Sequence, residues 1–487
     1  MYCSRQPFSL GKIKRVSCLQ FHSGNSVNKL SLILTPRRLV HTHLTHRHAF
    51  WKQIPAWSDV SEGSFLSYDW QANNSVHNAH QLSGFMNAVL PEFLPRRDQL
   101  TRDPRTAKEL IQDVQDGMRR APMAVKLTPY ILSLIDWTDP LRDPLLRQYV
   151  PLGSRFRPDH PKLAFDSLDE TGDSPVKGII HRYPDKAVFM ASSVCPVYCR
   201  YCTRSYSVGV DTNAVNKTRF LPIHKKWDIM FDYIERTSTL KDILVSGGDT
   251  YTLSSDQLKL IGERLLKIPH ILRVRIASKG VAICPSRLID PNDNWASSLI
   301  DLSRQARKMG KSVALHTHFN SPNEITWITK KAAQRLHEEA VVVRNQTVLL
   351  NGVNNNVETM KSLIHQLASM NIQPYYVFQS DMVRGIEDMR TPLHEILRLE
   401  AEIRGSTAGF MTPNFVVNLP GGGMKRLACS YNTYDRGTGR STFVSPGSKD
   451  PGREWEYWDP IFPQSEAEQT TPGQAISVQL SEQQQGG

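Results

Sequence analysis

Three cysteines fall within eight residues, in the order Cys195-Pro-Val-Tyr-Cys199-Arg-Tyr-Cys202, directly after an apolar run. Three thiolates at this spacing can wrap one face of an iron–sulfur cluster, one short of the four that hold an ordinary [4Fe–4S] centre. One iron is then left open, and an open coordination position is where a substrate or cofactor can meet a metal. Arg200 and Arg204 in the same loop would lower the thiolate pKa values and offset cluster charge. The competing reading is three structural thiols or part of a zinc site, but zinc needs a fourth ligand and the next cysteine is Cys284. The seven cysteines are odd in number, and two of them, Cys3 and Cys18, lie near the N-terminus. That usage argues against a disulfide framework and for a reduced compartment.

The loop must be held by something rigid. Strand-like runs occur at 187–193, 242–246, 272–277, 312–317, 345–350 and 374–379. Helical candidates lie between or after them at 254–267, 296–308, 323–340, 357–370 and 394–404. Six strands alternating with helices predict βα units and a parallel sheet. Chemistry in such folds sits at the carboxyl ends of the strands, where every motif here falls. Before the first strand, residues 59–180 read as Pro-punctuated with amphipathic helices such as 107–119 and 125–137. After Pro420-Gly421-Gly422-Gly423 the rhythm weakens, and 463–487 is rich in Gln, Ser, Glu and Gly, a disordered composition.

Two further stretches carry polar chemistry. Ser246-Gly247-Gly248-Asp249 follows the second strand; its glycines let backbone amides approach a ligand and its carboxylate suits an ammonium, although a tight βα turn explains the glycines equally well. Lys425 follows the glycine run, where a lysine can be a surface residue, a phosphate contact or a Schiff-base former. His316 and His318 either line a site or are satisfied core groups, and Cys284 reads as a small buried hydrophobe.

CxxxCxxC after the first strand resembles the signature of the radical S-adenosylmethionine enzymes. HRYPDKAVFMASSVCPVYCRYCTR, VSGGDTYTL, HTHFNSPNEIT, NQTVLLNGVN, PYYVFQSD, RTPL and VVNLPGGGMK follow one another between His181 and Lys425. Together they are similar to the lysine 2,3-aminomutase family, which uses S-adenosylmethionine, a [4Fe–4S] cluster and pyridoxal 5′-phosphate. The resemblance implies a partial (β/α)6 TIM-type barrel over 181–405, a helical region over 59–180, and a lysine loop with a C-terminal extension over 406–462. It implies that Cys195, Cys199 and Cys202 bind three irons and that Ser246, Gly247, Gly248 and Asp249 meet the methionyl part of S-adenosylmethionine. Lys425 would hold pyridoxal phosphate through its amine, with Arg182, Tyr183 and Lys186 on the phosphate; read alone, those three would be a solvated basic turn. Arg204 would pair with the substrate carboxylate, and Asp381 and Asn418 would meet its far end. The implied reaction moves the α-amino group of L-lysine to the β-carbon, with a low-potential electron donor as partner.

Four departures stand out. Lys186 replaces an arginine, keeping charge without the planar fork. Met424 replaces a fourth glycine. Asn418 replaces a second carboxylate, which opens a related 2,3-aminomutase acting on another amino acid as the alternative. The cysteines that hold an intersubunit zinc in some members are missing, with Ala332-Ala333-Gln334 in their helix and only Cys429 after Lys425. No structural zinc is therefore expected, and a homo-oligomer is left without that support.

The chain has 487 residues, 40% hydrophobic and 22% charged, with 59 Lys+Arg against 47 Asp+Glu. These values exclude whole-chain disorder and fibrous classes. No stretch approaches 18 consecutive apolar residues, so no membrane partner is expected. The first acid is Asp59, and the preceding stretch carries nine Lys or Arg. Residues 1–58 therefore predict an organelle transit segment, mitochondrial first and otherwise a cytoplasmic protein. The alternative is a basic arm on a noncatalytic Fe–S or nucleic-acid-binding protein. Without those nine the chain is near neutral, and no nucleic-acid partner is expected.

Overall fold

The β-branched and aliphatic runs of the sequence become the centre of one nine-stranded sheet in a computed structural model that describes residues 48–95, 104–218 and 224–461. β1 (Ile179–Tyr183) turns back onto β2 (Lys186–Ser192) as an antiparallel pair, with Tyr183 opposite Lys186. From β2 the chain runs parallel through β3 (Asp242–Gly247), β4 (Arg273–Ala277), β5 (Ser312–Thr317), β6 (Val342–Val348), β7 (Gln373–Phe378) and β8 (Asn414–Asn418). The short β9 (Lys425–Leu427) closes the order as a second antiparallel edge. The six crossovers carry the helices His224–Arg236, Ser255–Lys267, Trp295–Lys308, Trp327–Glu338, Val357–Ser369 and Leu393–Ile403.

Strand side chains alternate with period two. One set, including Ile243, Val245, Val274, Ile276, Val313 and Leu315, packs into the main apolar core with the crossover helices. The other set, including Leu244, Ser246, Arg275, Ala277 and His316, lines a cavity inside the curve of the sheet. Curling brings the two edges face to face: the Lys425 ammonium on β9 lies 5.8 Å from the Tyr183 ring on β1. The sheet is a partial barrel, with edges that meet around a cavity without pairing. A separate three-stranded sheet, β10 (Thr433–Asp435), β11 (Arg440–Val444) and β12 (Glu454–Trp458), packs beside it. Among the described residues no helix is long and apolar enough to cross a membrane.

Several sequence expectations change. The parallel strands number seven, because Asn414–Asn418 joins them, short and hidden between Pro413 and the Pro-Gly run. The strand read over 345–350 starts three residues earlier and ends two earlier, as β6 at Val342–Val348. The helix expected over 125–137 shrinks to Pro129–Leu134. Leu127 pairs instead with Val76, and Pro129, which can begin a helix but not sit inside one, follows the cap Thr128.

The boundary at residue 58 moves. Residues 1–47 of the predicted transit segment lie outside the described residues, as do 462–487, which include the predicted disordered tail. Residues 48–58, however, belong to the folded core. Phe50, Trp51, Ile54 and Trp57 are buried, Trp51 stacks on Phe65 at 4.4 Å, and its indole N–H donates to the Val60 carbonyl at 3.0 Å. Composition extends the basic stretch to residue 58, but packing begins earlier. Trp51→Ala is expected to cost about 3–5 kcal/mol, read as a fall in the urea midpoint; an unchanged midpoint would return these residues to a detachable leader.

Candidate active site

The thiol loop is held by backbone hydrogen bonds on both sides. Tyr198 and Arg200 donate their amides to the carbonyls of Lys126 and Gln148 in the N-terminal region, at 3.2 and 2.9 Å. Gly248 and Asp249 donate theirs to Ser192 and Val194, at 2.6 and 2.9 Å. Gly247 sits at φ +113°, and a Cβ there would lie 2.2 Å from the Ser192 carbonyl oxygen; at Gly248 it would lie 2.4 Å from that of Val194. The turn needs both glycines to press the β3 turn against the thiol loop. Asp249 is anchored too, accepting from the Tyr251 and Lys279 amides at 2.8 Å each.

A cavity of about 400 Å3 opens at the carboxyl ends of the parallel strands and runs down to the start of β2 and β4. All fourteen residues assigned by the resemblance line it: Cys195, Cys199, Cys202, Arg182, Tyr183, Lys186, Ser246, Gly247, Gly248, Asp249, Arg204, Asp381, Asn418 and Lys425. Thiols, carboxylates and basic side chains thus share one lining. Among the described residues no three His, Cys, Asp or Glu side chains could share one ion. Thiolates that each bind a different iron of a cluster need not stand that close together, so the donor set suits a cluster better than a single ion.

Of the two loop arginines, Arg204 pulls the Cys202 thiol down as expected, although burial outweighs it, whereas Arg200 is spent on a carboxylate. Arg200 forks onto Asp388 at 3.1 and 3.3 Å and is neutralised there. Burial raises all three thiols, Cys199 to about 12, and the strongest opposing charge on Cys199 is the Lys279 ammonium. Lys279 is itself paired at 2.8 Å with the fully buried Glu324.

Arg204 is committed to a residue that sequence reasoning missed. Its Nε and Nη2 donate to the two carboxylate oxygens of Glu170 at 2.8 Å each, and its Nη1 donates to the Ser246 hydroxyl at 3.1 Å. Tyr206 donates to Glu170 at 3.0 Å. A guanidinium carries five N–H donors. Three are spent, which leaves one unspent N–H on each terminal nitrogen. Glu170 thus fixes the plane of Arg204; burial raises the Glu170 pKa, but the Arg204 guanidinium outweighs it and holds the carboxyl below its usual value. Glu170 lies in an aperiodic polar loop 34 residues before Arg204, where no local signal marks it.

The far end of the cavity is built around Asp381. Asn418 donates its amide to Asp381 at 3.0 Å. Burial lifts the Asp381 pKa to about 6, while Asn418 and the Lys425 ammonium pull it down. From outside the cavity, Tyr457 donates to the Ser380 carbonyl at 3.0 Å and accepts from the Gln379 amide at 3.1 Å, fixing the turn that carries Asp381. Lys425 follows Met424, which sits at φ +67°. That conformation costs a non-glycine residue about 1–2 kcal/mol. Met424 is 6% exposed, and burying such a side chain is worth about 2 kcal/mol, enough to hold the turn without a fourth glycine.

The histidines settle into opposite tautomers around Gln346. Its side-chain amide donates to His316 Nδ1 at 3.0 Å, leaving the proton on Nε2; its backbone carbonyl accepts from His318 Nδ1 at 2.5 Å, so His318 Nε2 accepts from Tyr201 at 2.9 Å. Burial holds both rings neutral, with pKa values lowered to about 3. His316 Nε2 and Thr317 Oγ1 are buried without a partner in the cavity wall, donors that a bound molecule would satisfy.

Fold and site together define a barrel enzyme that combines a thiol triad with an amine-lined cavity. The chain is 34% identical to the L-lysine 2,3-aminomutase of Acetoanaerobium sticklandii, over 76% of this chain and 80% of that protein. It is 33% identical to that of Bacillus subtilis, over 77% and 71%. It is 31% identical to the glutamate 2,3-aminomutase of Clostridioides difficile, over 78% and 80%. The chain therefore belongs to the lysine 2,3-aminomutase family, isomerases that move an amino group within a molecule. No protein-family model matches it. The likeness to the solved structure of Streptococcus suis SuiB bound to S-adenosylmethionine has a TM-score of 0.34 and 14% identity, covering 48% of this chain and 51% of that one, too slight to bear on fold or function.

Glu170→Ala would strand a largely buried guanidinium. The expected loss is about 3–5 kcal/mol in urea unfolding of the apoprotein; a loss below 1 kcal/mol would show that Arg204 finds other partners.

Proposed function

We propose that this chain is a radical S-adenosylmethionine, pyridoxal phosphate-dependent aminomutase that converts L-lysine to β-lysine. The observation that carries the reading is the single cavity shared by the thiol triad, Lys425, Arg204 and Asp381. Cys195, Cys199 and Cys202 would hold the cluster, and Lys425 the pyridoxal phosphate. Ser246 to Asp249, with the unpartnered groups of His316 and Thr317, would hold S-adenosylmethionine. When bound, these groups supply a low-potential electron, a radical precursor and an electron-delocalising ring. The protein supplies orientation: the unspent N–H groups of Arg204 take the substrate carboxylate, Asp381 takes the distant ammonium, and the enclosing sheet limits water at the reacting carbons. A low-potential electron donor completes the system. The acid-free basic residues ahead of the folded core are the basis for proposing delivery to the mitochondrion.

A second reading has its own observation. Asn418 donates to Asp381, so the distal subsite holds one carboxylate with an amide bound to it instead of two carboxylates. That arrangement binds an ammonium less strongly and leaves a related 2,3-aminomutase on another amino acid as the alternative.

Anaerobic reconstitution with iron, sulfide, pyridoxal phosphate and S-adenosylmethionine should give β-lysine from L-lysine. A β-amino acid formed only from another substrate supports the second reading, and failure to take up iron or pyridoxal phosphate removes both. The raised pKa of Asp381 adds a pH signature. The carboxylate is ionised only above about 6, so lysine affinity should fall as pH drops through 6, rather than near 4 as for an ordinary aspartate. A KM for lysine that stays flat from pH 5 to 8 would remove Asp381 from ammonium binding.

A further inference from the structure

The phosphate set implied by the resemblance holds one fork partly committed elsewhere and one point charge. Arg182 spends its Nε on Asp173 at 2.5 Å and another nitrogen on the Leu168 carbonyl. Asp173 also accepts from Lys449 at 2.5 Å, so Arg182 is drawn toward that pair. Lys186 is a point charge 4.0 Å over the Tyr183 ring. A phosphate monoester is close to a dianion with three acceptor oxygens, and it is bound best by a planar fork with unspent N–H groups.

Arg275 offers that fork. It sits on β4 with its side chain in the cavity wall. Its Nε donates to Asp242 at 2.7 Å, which fixes the plane of the guanidinium, and neither terminal nitrogen has a partner among the described residues. Asp242 also pairs with Arg273 at 3.2 Å, so it does not depend on Arg275 for neutralisation. The position is right as well. Asp242 is the register partner of Lys186 across β2 and β3, and it is the carboxylate that holds Arg275, so the fork lies beside the strand end that carries Lys186.

Resting on the pyridoxal phosphate reading above, we infer that Arg275 is a phosphate-binding residue of this cavity, supplying the bidentate contact that Lys186 cannot make. The chemistry it recognises is a phosphate monoester, and the same fork would take free inorganic phosphate.

The test compares pyridoxal phosphate with pyridoxal, which has the aldehyde but no phosphate. Affinities are read from the absorbance of the bound chromophore, for the full-length wild type and for Arg275→Gln and Arg275→Lys. Arg275→Gln should weaken pyridoxal phosphate by about 10- to 100-fold, the loss expected for hydrogen bonds to a charged group, and leave pyridoxal within about twofold. Arg275→Lys, which restores charge without the fork, should recover part of the loss. Inorganic phosphate should compete with pyridoxal phosphate in the wild type and less in Arg275→Gln. Equal affinity of wild type and Arg275→Gln for pyridoxal phosphate would overturn the assignment, as would equal loss for both aldehydes. If the wild type bound neither aldehyde, the aminomutase reading itself would fall, a result distinct from failure of Arg275 alone.

Discussion

The interior of this barrel depends on a sheet whose inward side chains are mostly not the branched apolar residues that fill a closed barrel. Ser246, Arg275, His316 and Gln346 occupy positions where valine or isoleucine would make a dry plug. The apolar work is done on the outer face, against the crossover helices. The cavity can therefore stay hollow without loss of the core, and the sheet can roll until β9 faces β1. Every functional distance follows from that roll, because it carries Lys425 from one edge to Tyr183 on the other.

Charge inside such a space has to be matched donor by donor. Arg204, Arg200 and Lys279 each meet a buried carboxylate, from Glu170, Asp388 and Glu324. These pairs set direction more than stability, since removing water from both partners costs much of what their attraction returns. Arg204 shows the result most clearly. Its pairing to Glu170 and Ser246 ties the loop before β1, the thiol loop and the β3 turn to one planar group.

What was legible in the sequence was local. The thiol loop, the Gly247-Gly248 turn and the glycine run before Lys425 announce themselves through spacing of a few residues, and β3, β4 and β5 through β-branched runs. The thiol triad and Lys425 end up in one cavity because each follows a strand of the same sheet. What could not be read was tertiary. Glu170 has no periodicity to mark it, and its role exists only once the loop before β1 reaches Arg204. Of the two loop arginines only Arg204 acts on a thiol, Cys202; Arg200 is taken by Asp388, an acid from a distant segment that spacing does not reveal. Composition carried the basic stretch past Trp51, because charge counts do not register the ring stacking that buries it. β8 was lost between a proline and a Pro-Gly run, too short to show alternation.

The turn bearing Asp381 is fixed from outside by Tyr457, a residue on the last strand of the small sheet. The chain is made from the N-terminus at about 5–20 residues per second, and its parallel strands can begin to associate as they emerge. The turn bearing Asp381 cannot be finished on that schedule, because its brace is among the last parts to leave the ribosome. Until β12 is free, the nascent protein holds a nearly formed thiol loop above an unsupported Asp381 turn, so the two ends of the cavity mature in sequence during biogenesis.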